Sequence, residues 1–464
     1  MTRQVDVAIV GAGTAGLAAM AQVRRAGCSF VLIDGGELGT TCARVGCMPS
    51  KALLQVAEDF ARRRAFSRLG IDGGEALELD GPKALEHVRD LRDIFVDRVL
   101  AGTTDELGEE FIAAPARFTS LTTLLAGDQR IEARRVVIAV GSRPFVPPDW
   151  AQFAPQLLTT DTVFELESLP QRLAVIGLGA VGLEIGQALA RLGVEVTGFD
   201  RLSTVAGLQD VAVSEVAVQA IGRDFPLHLG NAARIEATAK GLRVVAGERE
   251  AEVDKVLLSM GRVSNAAGLG LSELGVPVDA AGVPLHDPAS MQIGDLPLFI
   301  AGDADGARQV LHEAADEGRI AGYNAARDIT TRFRRRVALH ITFCDPNTAR
   351  VGTPFEDLDS SAAIGEMPFG PVGRALIMGK NRGLLRVYAR ARDGRILGAE
   401  ICGPKCENLA HLLAWSVQQE LGVLDLLRMP YYHPVIEEAL QAALHDLLAK
   451  LDLQPSGLLE FVAD

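Results

Sequence analysis

One strand–glycine turn–helix–strand unit occurs twice in this chain, and no other feature restricts its fold as tightly. VDVAIVGAGTAGLAAMAQVRRAGCSFVLID runs from Val5 to Asp34, and LAVIGLGAVGLEIGQALARLGVEVTGFD runs from Leu173 to Asp200. Each begins as a continuous apolar run, the pattern of a strand covered on both faces of a parallel sheet. Each then reads G-x-G-x-x-G: Gly11, Gly13 and Gly16 in the first copy, Gly177, Gly179 and Gly182 in the second. In both copies 23 residues separate the first glycine from the closing aspartate.

The first glycine of such a turn makes the tight bend, the second admits a pyrophosphate, and the third packs helix on strand. The helix N-terminus presents unpaired N–H groups and partial positive charge to the phosphates. Asp34 and Asp200 can accept hydrogen bonds from ribose hydroxyls and would repel a 2′-phosphate. A single G-x-G-x-x-G marks many tight turns, but two copies in one context, with an acid at one spacing, leave little room for chance. A chain that binds two dinucleotides is built to pass electrons between them. Asp200 favours NAD over NADP in the second unit; Arg201 behind it is the contrary sign, since arginine can grip a 2′-phosphate or stand solvated.

With 464 residues the chain holds two to four domains, and 48% hydrophobic residues supply their cores. A net charge of -14 speaks against nucleic acid as the main partner. No apolar run reaches bilayer length, so no membrane role is expected. The strand pattern starts at Val5 and leaves no room for a secretory leader. Six cysteines are too few for a disulfide framework, and a cytoplasmic location follows. Cys28, Cys344, Cys402 and Cys406 read as buried or free thiols. Cys402 and Cys406 have only His411 nearby in sequence, too few ligands for zinc, so no metal is expected.

Cys42 and Cys47 are different. They lie in GTTCARVGCMPSKAL, Gly39 to Leu53, and can close as a disulfide if their Cα atoms come within roughly 7 Å. Pro49 suits the first turn of a helix that Lys51 to Val56 continues, so Cys47 stands near a helix N-terminus, where a thiolate is favoured. An accessible disulfide beside a low-pKa thiol suits exchange rather than stapling. Dithiol chemistry needs a base, and His433 stands in YYHPVIEE, with Glu437 or Glu438 able to orient its ring. Pro434 is expected at N1 of a helix with His433 at its cap. His87, His228, His286, His340 and His445 read as structural or surface side chains. From about Leu339 onward, strand-like runs and glycine turns precede two helices, a compact α+β unit.

These motifs together resemble the flavin-dependent pyridine nucleotide–disulfide oxidoreductases, in particular their lipoamide-oxidising branch, over essentially the whole chain. The resemblance implies an α/β fold with two Rossmann-like domains, for FAD and NAD, plus a C-terminal α+β dimerisation domain. The implied boundaries are 1–148 and 268–336 for the FAD domain, 149–267 for the NAD domain and 337–464 for the dimer interface. GTTCARVGCMPSK is similar to the family's redox loop, with Thr41 at the FAD pyrophosphate. VVIAVGSRP implicates Ser142, and VLLSMGRVSN gives Gly261 and Arg262. In LFIAGDADGARQVLHEAADEG the resemblance assigns Gly302 and Asp303 to the FAD ribitol and the Leu311 backbone to the flavin. APARF implicates Ala116 beside adenine. Lys51 and Glu184 take the places of an ion pair beneath flavin N5, where a fixed cation would stabilise reduced flavin.

The family pattern also selects Glu438 over Glu437 and places His433 in the neighbouring subunit's site. The implied route has the base deprotonate a substrate dithiol that attacks Cys42, the more exposed sulfur, leaving Cys47 as thiolate against the flavin. The implied partner is dihydrolipoamide on a lipoyl-carrying protein of a 2-oxo acid dehydrogenase or glycine cleavage system, acted on by a homodimer. The alternatives are a reductase of another low-molecular-weight disulfide, or a docking subunit with weak activity. The chain ends LLEFVAD, without the C-terminal cysteines of mercuric or large thioredoxin reductases. Tyr431 and Val435 replace the usual His and Thr around His433. Ala43-Arg44 replaces an apolar-Asn pair in the redox loop, and Arg44 is expected to add positive charge that favours thiolate.

Overall fold

The computed structural model describes residues 2–453; the terminal LLEFVAD segment lies outside the described residues. The first repeat folds as β1 (Thr2–Val10), α1 (Thr14–Arg25) and β2 (Phe30–Ile33). The redox loop follows as a short α2 (Thr41–Arg44) and then α3 (Cys47–Ala61) and α4 (Gly81–Ala101). Strands β3 (Phe111–Ile112), β4 (Ala116–Ser120), β5 (Thr123–Ala126) and β6 (Gln129–Ile138) complete the sheet in the order β3-β2-β1-β6-β5-β4. β2, β1 and β6 are parallel, and from Val7 to Val10 β1 has only buried side chains, as its unbroken apolar run requires.

After β7 (Ser142–Pro144), the second repeat builds a separate parallel sheet, β11-β10-β9-β15-β8. Its strands are β8 (Leu157–Leu158), β9 (Arg172–Ile176), β10 (Glu195–Phe199) and β11 (Leu227–His228). Helices α5 (Ala180–Arg191) and α6 (Val211–Ile221) cover it. An antiparallel β12 (Arg234–Thr238), β13 (Gly241–Ala246) and β14 (Arg249–Val253) lead into β15 (Lys255–Leu258). The chain returns through β16 (Arg262–Ser264), antiparallel to β7, so exit and return run side by side. β17 (Leu298–Ile300) then joins β6 of the first sheet, and α7 (Leu311–Ala325) packs on α1. Gly318 and Gly322 make that packing close: a Cβ on either would meet the backbone of Ala15 or Ala19 within 2.4 Å.

The C-terminal unit is an antiparallel sheet of β18 (Leu339–Thr342), β19 (Asn347–Gly352), β20 (Ala362–Pro368), β21 (Leu384–Arg390) and β22 (Ile396–Gly403), in the order β18-β19-β22-β21-β20. Its helices are α8 (Gly373–Ile377), α9 (Cys406–Gln418), α10 (Val423–Leu427) and α11 (Glu438–Ala449). The fold is therefore α/β with two Rossmann-like units and a C-terminal α+β unit. No helix among the described residues is long and apolar enough to cross a membrane.

The C-terminal sheet is locked onto the second unit. Asp210, the α6 N-cap, takes two hydrogen bonds from Arg386 (2.6 and 2.7 Å) and one from Tyr388 (2.9 Å). Asp210 is buried, so removing Arg386 would strand its charge at about 3–5 kcal/mol.

Pro434 does not open a helix. α11 begins at Glu438, because the Glu438 carboxylate folds back to accept the Val435 N–H (3.1 Å) and buried Ile436 pulls the preceding loop into the core.

Candidate active site

Both glycine turns open onto one cavity of about 650 Å³, which runs between the two dinucleotide units and the C-terminal sheet. The turns divide the work among their glycines. Gly11 and Gly177 hold φ of 110° and 97°, and a Cβ there would stand 2.2 Å from Ala139 O or 2.4 Å from Ser259 O. At Gly16 and Gly182 a Cβ would strike the preceding turn's own carbonyl, at 1.8 and 1.9 Å. At Gly13 and Gly179 it would meet nothing within 4 Å. That free space, at the N-terminus of a helix, is the cradle a pyrophosphate needs. Asp34 and Asp200 lie behind the turns. Each accepts one turn N–H, from Ala12 or Leu178 (2.6 Å in both), and the N–H two residues onward, from Gly36 (2.8 Å) or Leu202 (2.9 Å).

Thr41, Cys42, Cys47, Lys51, Glu184, Arg262, Gly302, Asp303 and Leu311 also line the cavity, together with Gly13 and Gly179. Gly302 has φ 71° and gives its N–H to buried Glu317 (2.8 Å). Leu311 opens α7, so that helix's first N–H groups face the cavity. Asp303 takes a hydrogen bond from Ser142 (2.8 Å), and Arg262 holds Ser142 through its hydroxyl (2.7 Å) and carbonyl (2.8 Å). Ser142 thus sits behind Asp303 rather than on the wall. Gly261 lies beside Arg262 at φ 99°, and Ala116 stays in the β4–β5 hairpin; neither is on the cavity.

Both redox-loop sulfurs are free thiols. Cys47 is the first residue of α3 with Gly46 at the cap, as its sequence context predicts. A hydrogen bond from the Cys42 thiol and the charge of Lys51 together hold Cys47 at about 7, against the upward push of burial. The same bond, with burial, drives Cys42 well above the ordinary thiol range. The pair is therefore asymmetric, with the thiolate on Cys47. In the reduced protein, iodoacetamide alkylation of Cys47 is expected to rise with pH through about 7. Lys51→Met removes a charge that favours thiolate and should move that rise to higher pH; an unmoved profile would contradict this electrostatic role.

Lys51 Nζ lies 2.7 Å from buried Glu184, whose other oxygen accepts the Phe343 N–H (2.8 Å). The Lys51 ammonium also stands 4.8 Å from the Phe343 ring centre. One cation is thus fixed at the cavity wall by α5 and by Phe343, the residue that follows β18.

Both Cys42 and Cys47 line the cavity. One expectation needs correction. Arg44 does not lend a free charge to the dithiol: Glu37 pairs with it, neutralising it locally.

His433 and Glu438 are absent from the cavity. His433 is 79% exposed, its Nδ1 2.8 Å from Glu438 Oε1. Facing a carboxylate, Nδ1 donates, which leaves Nε2 free to take a proton. The His433 hydrogen bond and the Val435 N–H hold Glu438 below the usual carboxylate range, so it stays charged. The pairing favours Glu438 over Glu437 on geometry alone.

His340, read as structural or surface, lines the cavity with His312, Phe343 and Arg350. β18 and β19 set His340 opposite Arg350 by register, the start of α7 adds His312, and no local motif announces it. Among the described residues no group of three or more His, Cys, Asp or Glu could hold a metal.

A family model described as pyridine nucleotide-disulphide oxidoreductase matches residues 5–318, and one for that family's dimerisation domain matches residues 339–444. The chain is 29% identical to a dihydrolipoyl dehydrogenase of Pseudomonas aeruginosa, over 95% of this chain and 97% of the other. It is 28% identical to a mercuric reductase of Lysinibacillus sphaericus, over 91% of this chain and 78% of that one. Among solved structures it resembles LpdA from Mycobacterium tuberculosis, with a TM-score of 0.82 at 24% identity, covering 96% and 99% of the two chains.

Proposed function

Because the chain belongs to the pyridine nucleotide-disulphide oxidoreductase family, we propose that it oxidises protein-bound dihydrolipoamide to lipoamide with NAD⁺ as acceptor, using FAD and the Cys42–Cys47 couple. The observation that carries this reading is the single cavity on which the dithiol, the Lys51–Glu184 pair and both glycine turns converge. Bound FAD supplies the two-electron link between dithiol and NAD⁺.

The chain's own groups do the rest. The first turn and the α7 N-terminus would hold FAD, with Asp303 available to the ribitol and Asp34 and Asp200 to the two riboses. The partner subunit's His433, oriented by Glu438, takes a proton from the substrate dithiol. The substrate thiolate attacks Cys42, breaking the disulfide and releasing Cys47 as thiolate. The second substrate thiol then displaces Cys42, and lipoamide leaves. Lys51, held by Glu184, keeps positive charge where the reduced ring would gain electrons.

We assign residues 1–148 and 268–336 to FAD, 149–267 to NAD and 337–464 to the dimer interface. A lipoyl-carrying protein of a 2-oxo acid dehydrogenase or glycine cleavage system is the proposed partner, in the cytoplasm, where Cys28, Cys344, Cys402 and Cys406 stay reduced.

The test is a substrate panel: purified enzyme with NADH or NADPH against lipoamide, glutathione disulfide and other small disulfides. Preference for lipoamide with NADH supports the proposal; preference for another disulfide overturns it. Gly13→Val is expected to give folded but colourless protein, since the branched side chain takes only the cofactor's space. Gly179→Val should keep the flavin absorbance and lose NAD⁺ binding. Retained flavin in Gly13→Val would contradict the assignment of the first unit.

A further inference from the structure

Five charged or titratable side chains form one cross-strand row on the C-terminal sheet: His340, Arg350, Glu400, Arg386 and Glu366. Side chains directly opposite in an antiparallel sheet share a face. This face meets the loop that leads from β10 to α6. Glu400 accepts the N–H groups of Gln209 (3.1 Å) and Asp210 (3.0 Å) there. Arg386 is taken by Asp210 and stands 3.3 Å from Glu366.

Arg350 is left over. Its cross-strand anion is already engaged by backbone N–H groups, its Nε is buried without a partner, and its guanidinium makes no hydrogen bond or ion pair among the described residues. That guanidinium lines the cavity and packs on Gly207, 3.6 Å from where a Cβ would stand. Gly207 follows Ala206, whose N–H bonds the carbonyl of Leu178 (2.9 Å), the residue between the first two glycines of the second turn. Ala206 holds a φ of 57°, a left-handed conformation that alanine rarely adopts and that persists where surroundings enforce it. The arginine fork is thus held close to the Gly177–Gly179 turn, carried by a different domain.

We propose that Arg350 is a clamp that closes on the pyrophosphate of the nicotinamide dinucleotide from the C-terminal domain, facing the Gly177–Gly182 turn. The inference rests on the reading of the second unit as the NAD site. A helix N-terminus offers only about half a unit of positive charge, so the turn alone leaves most of the pyrophosphate charge unmatched. Arginine presents a planar fork that fits phosphate oxygens in pairs. A half-buried guanidinium whose N–H groups lack a hydrogen-bond partner is unfavourable until an acceptor arrives. A 2′-phosphate is the poorer occupant, since it would sit against the Asp200 carboxylate.

The test uses the FAD-loaded enzyme and the variants Arg350→Met and Arg350→Lys, with NAD⁺, NADP⁺, ADP and adenosine titrated by calorimetry. Arg350→Met should weaken NAD⁺ and ADP about ten-fold or more, leave adenosine unchanged and flatten the salt dependence of NAD⁺ binding. Arg350→Lys should fall between. Unchanged flavin absorbance and unchanged flavin reduction by dihydrolipoamide without NAD⁺ confirm that the variants are folded. Equal NAD⁺ and ADP affinity in wild type and Arg350→Met overturns the clamp alone, as does a loss confined to NADP⁺. A wild type that binds neither NAD⁺ nor ADP overturns the reading of the second unit, and the clamp with it.

Discussion

Cys47→Ser is expected to abolish dihydrolipoamide-dependent NADH formation, by at least ~10³-fold, while the protein stays folded and yellow. The hydroxyl is nearly the size of the thiol and lies at the first turn of α3 on the cavity wall, so the fold keeps its packing. What is lost is the group that carries the electrons. With Cys47 at about 7 and Cys42 pushed far higher, only one of the two sulfurs can be thiolate near neutral pH. A hydroxyl at position 47 can form neither that thiolate nor the disulfide. Cys42→Ser should be as inactive in turnover but keep the Cys47 thiolate and its absorbance against the flavin. Retained turnover in Cys47→Ser would end the dithiol account.

His433→Ala is expected to lower turnover by roughly 10²–10⁴-fold, the usual worth of a positioned base. Its ring is 79% exposed and pairs with Glu438, so stability should hardly change. The position of His433, away from its own chain's cavity, is what makes a second experiment decisive. Dimers mixed from His433→Ala and Cys47→Ser chains contain one site in which intact cysteines of one chain meet the intact base of the other. Such dimers should recover a substantial part of one site's activity. If mixing restores nothing, the base does not act across the interface.

The parts of the molecule that follow from steric demand were legible in the sequence. Gly11, Gly13 and Gly16, and their copies in the second unit, occupy positions where a Cβ would meet backbone or fill the cradle, and that demand writes itself as a spacing. The start of α3 at Cys47 was legible for a similar reason, since Gly46 and Pro49 bracket it. Features that depend on register or loop path were not. Nothing local to Arg350 says that β22 will set Glu400 beside it, or that the Asp210 backbone will already occupy that carboxylate. Arg44 reads as a free cation until the loop brings Glu37 back to it. Pro434 has the look of a helix start, and only the folding back of Glu438 onto Val435 moves the start four residues on.

The most direct test is a pair of anaerobic half-reactions on the wild-type enzyme. Dihydrolipoamide is mixed with oxidised enzyme without NAD⁺, and NAD⁺ is then added. The account predicts that dihydrolipoamide alone produces the thiolate–flavin absorbance. NAD⁺ should then discharge it with one NADH formed per FAD, and both signals should vanish in Cys47→Ser. An enzyme that dihydrolipoamide leaves oxidised, while NADH reduces it and a different disulfide reoxidises it, would contradict the account.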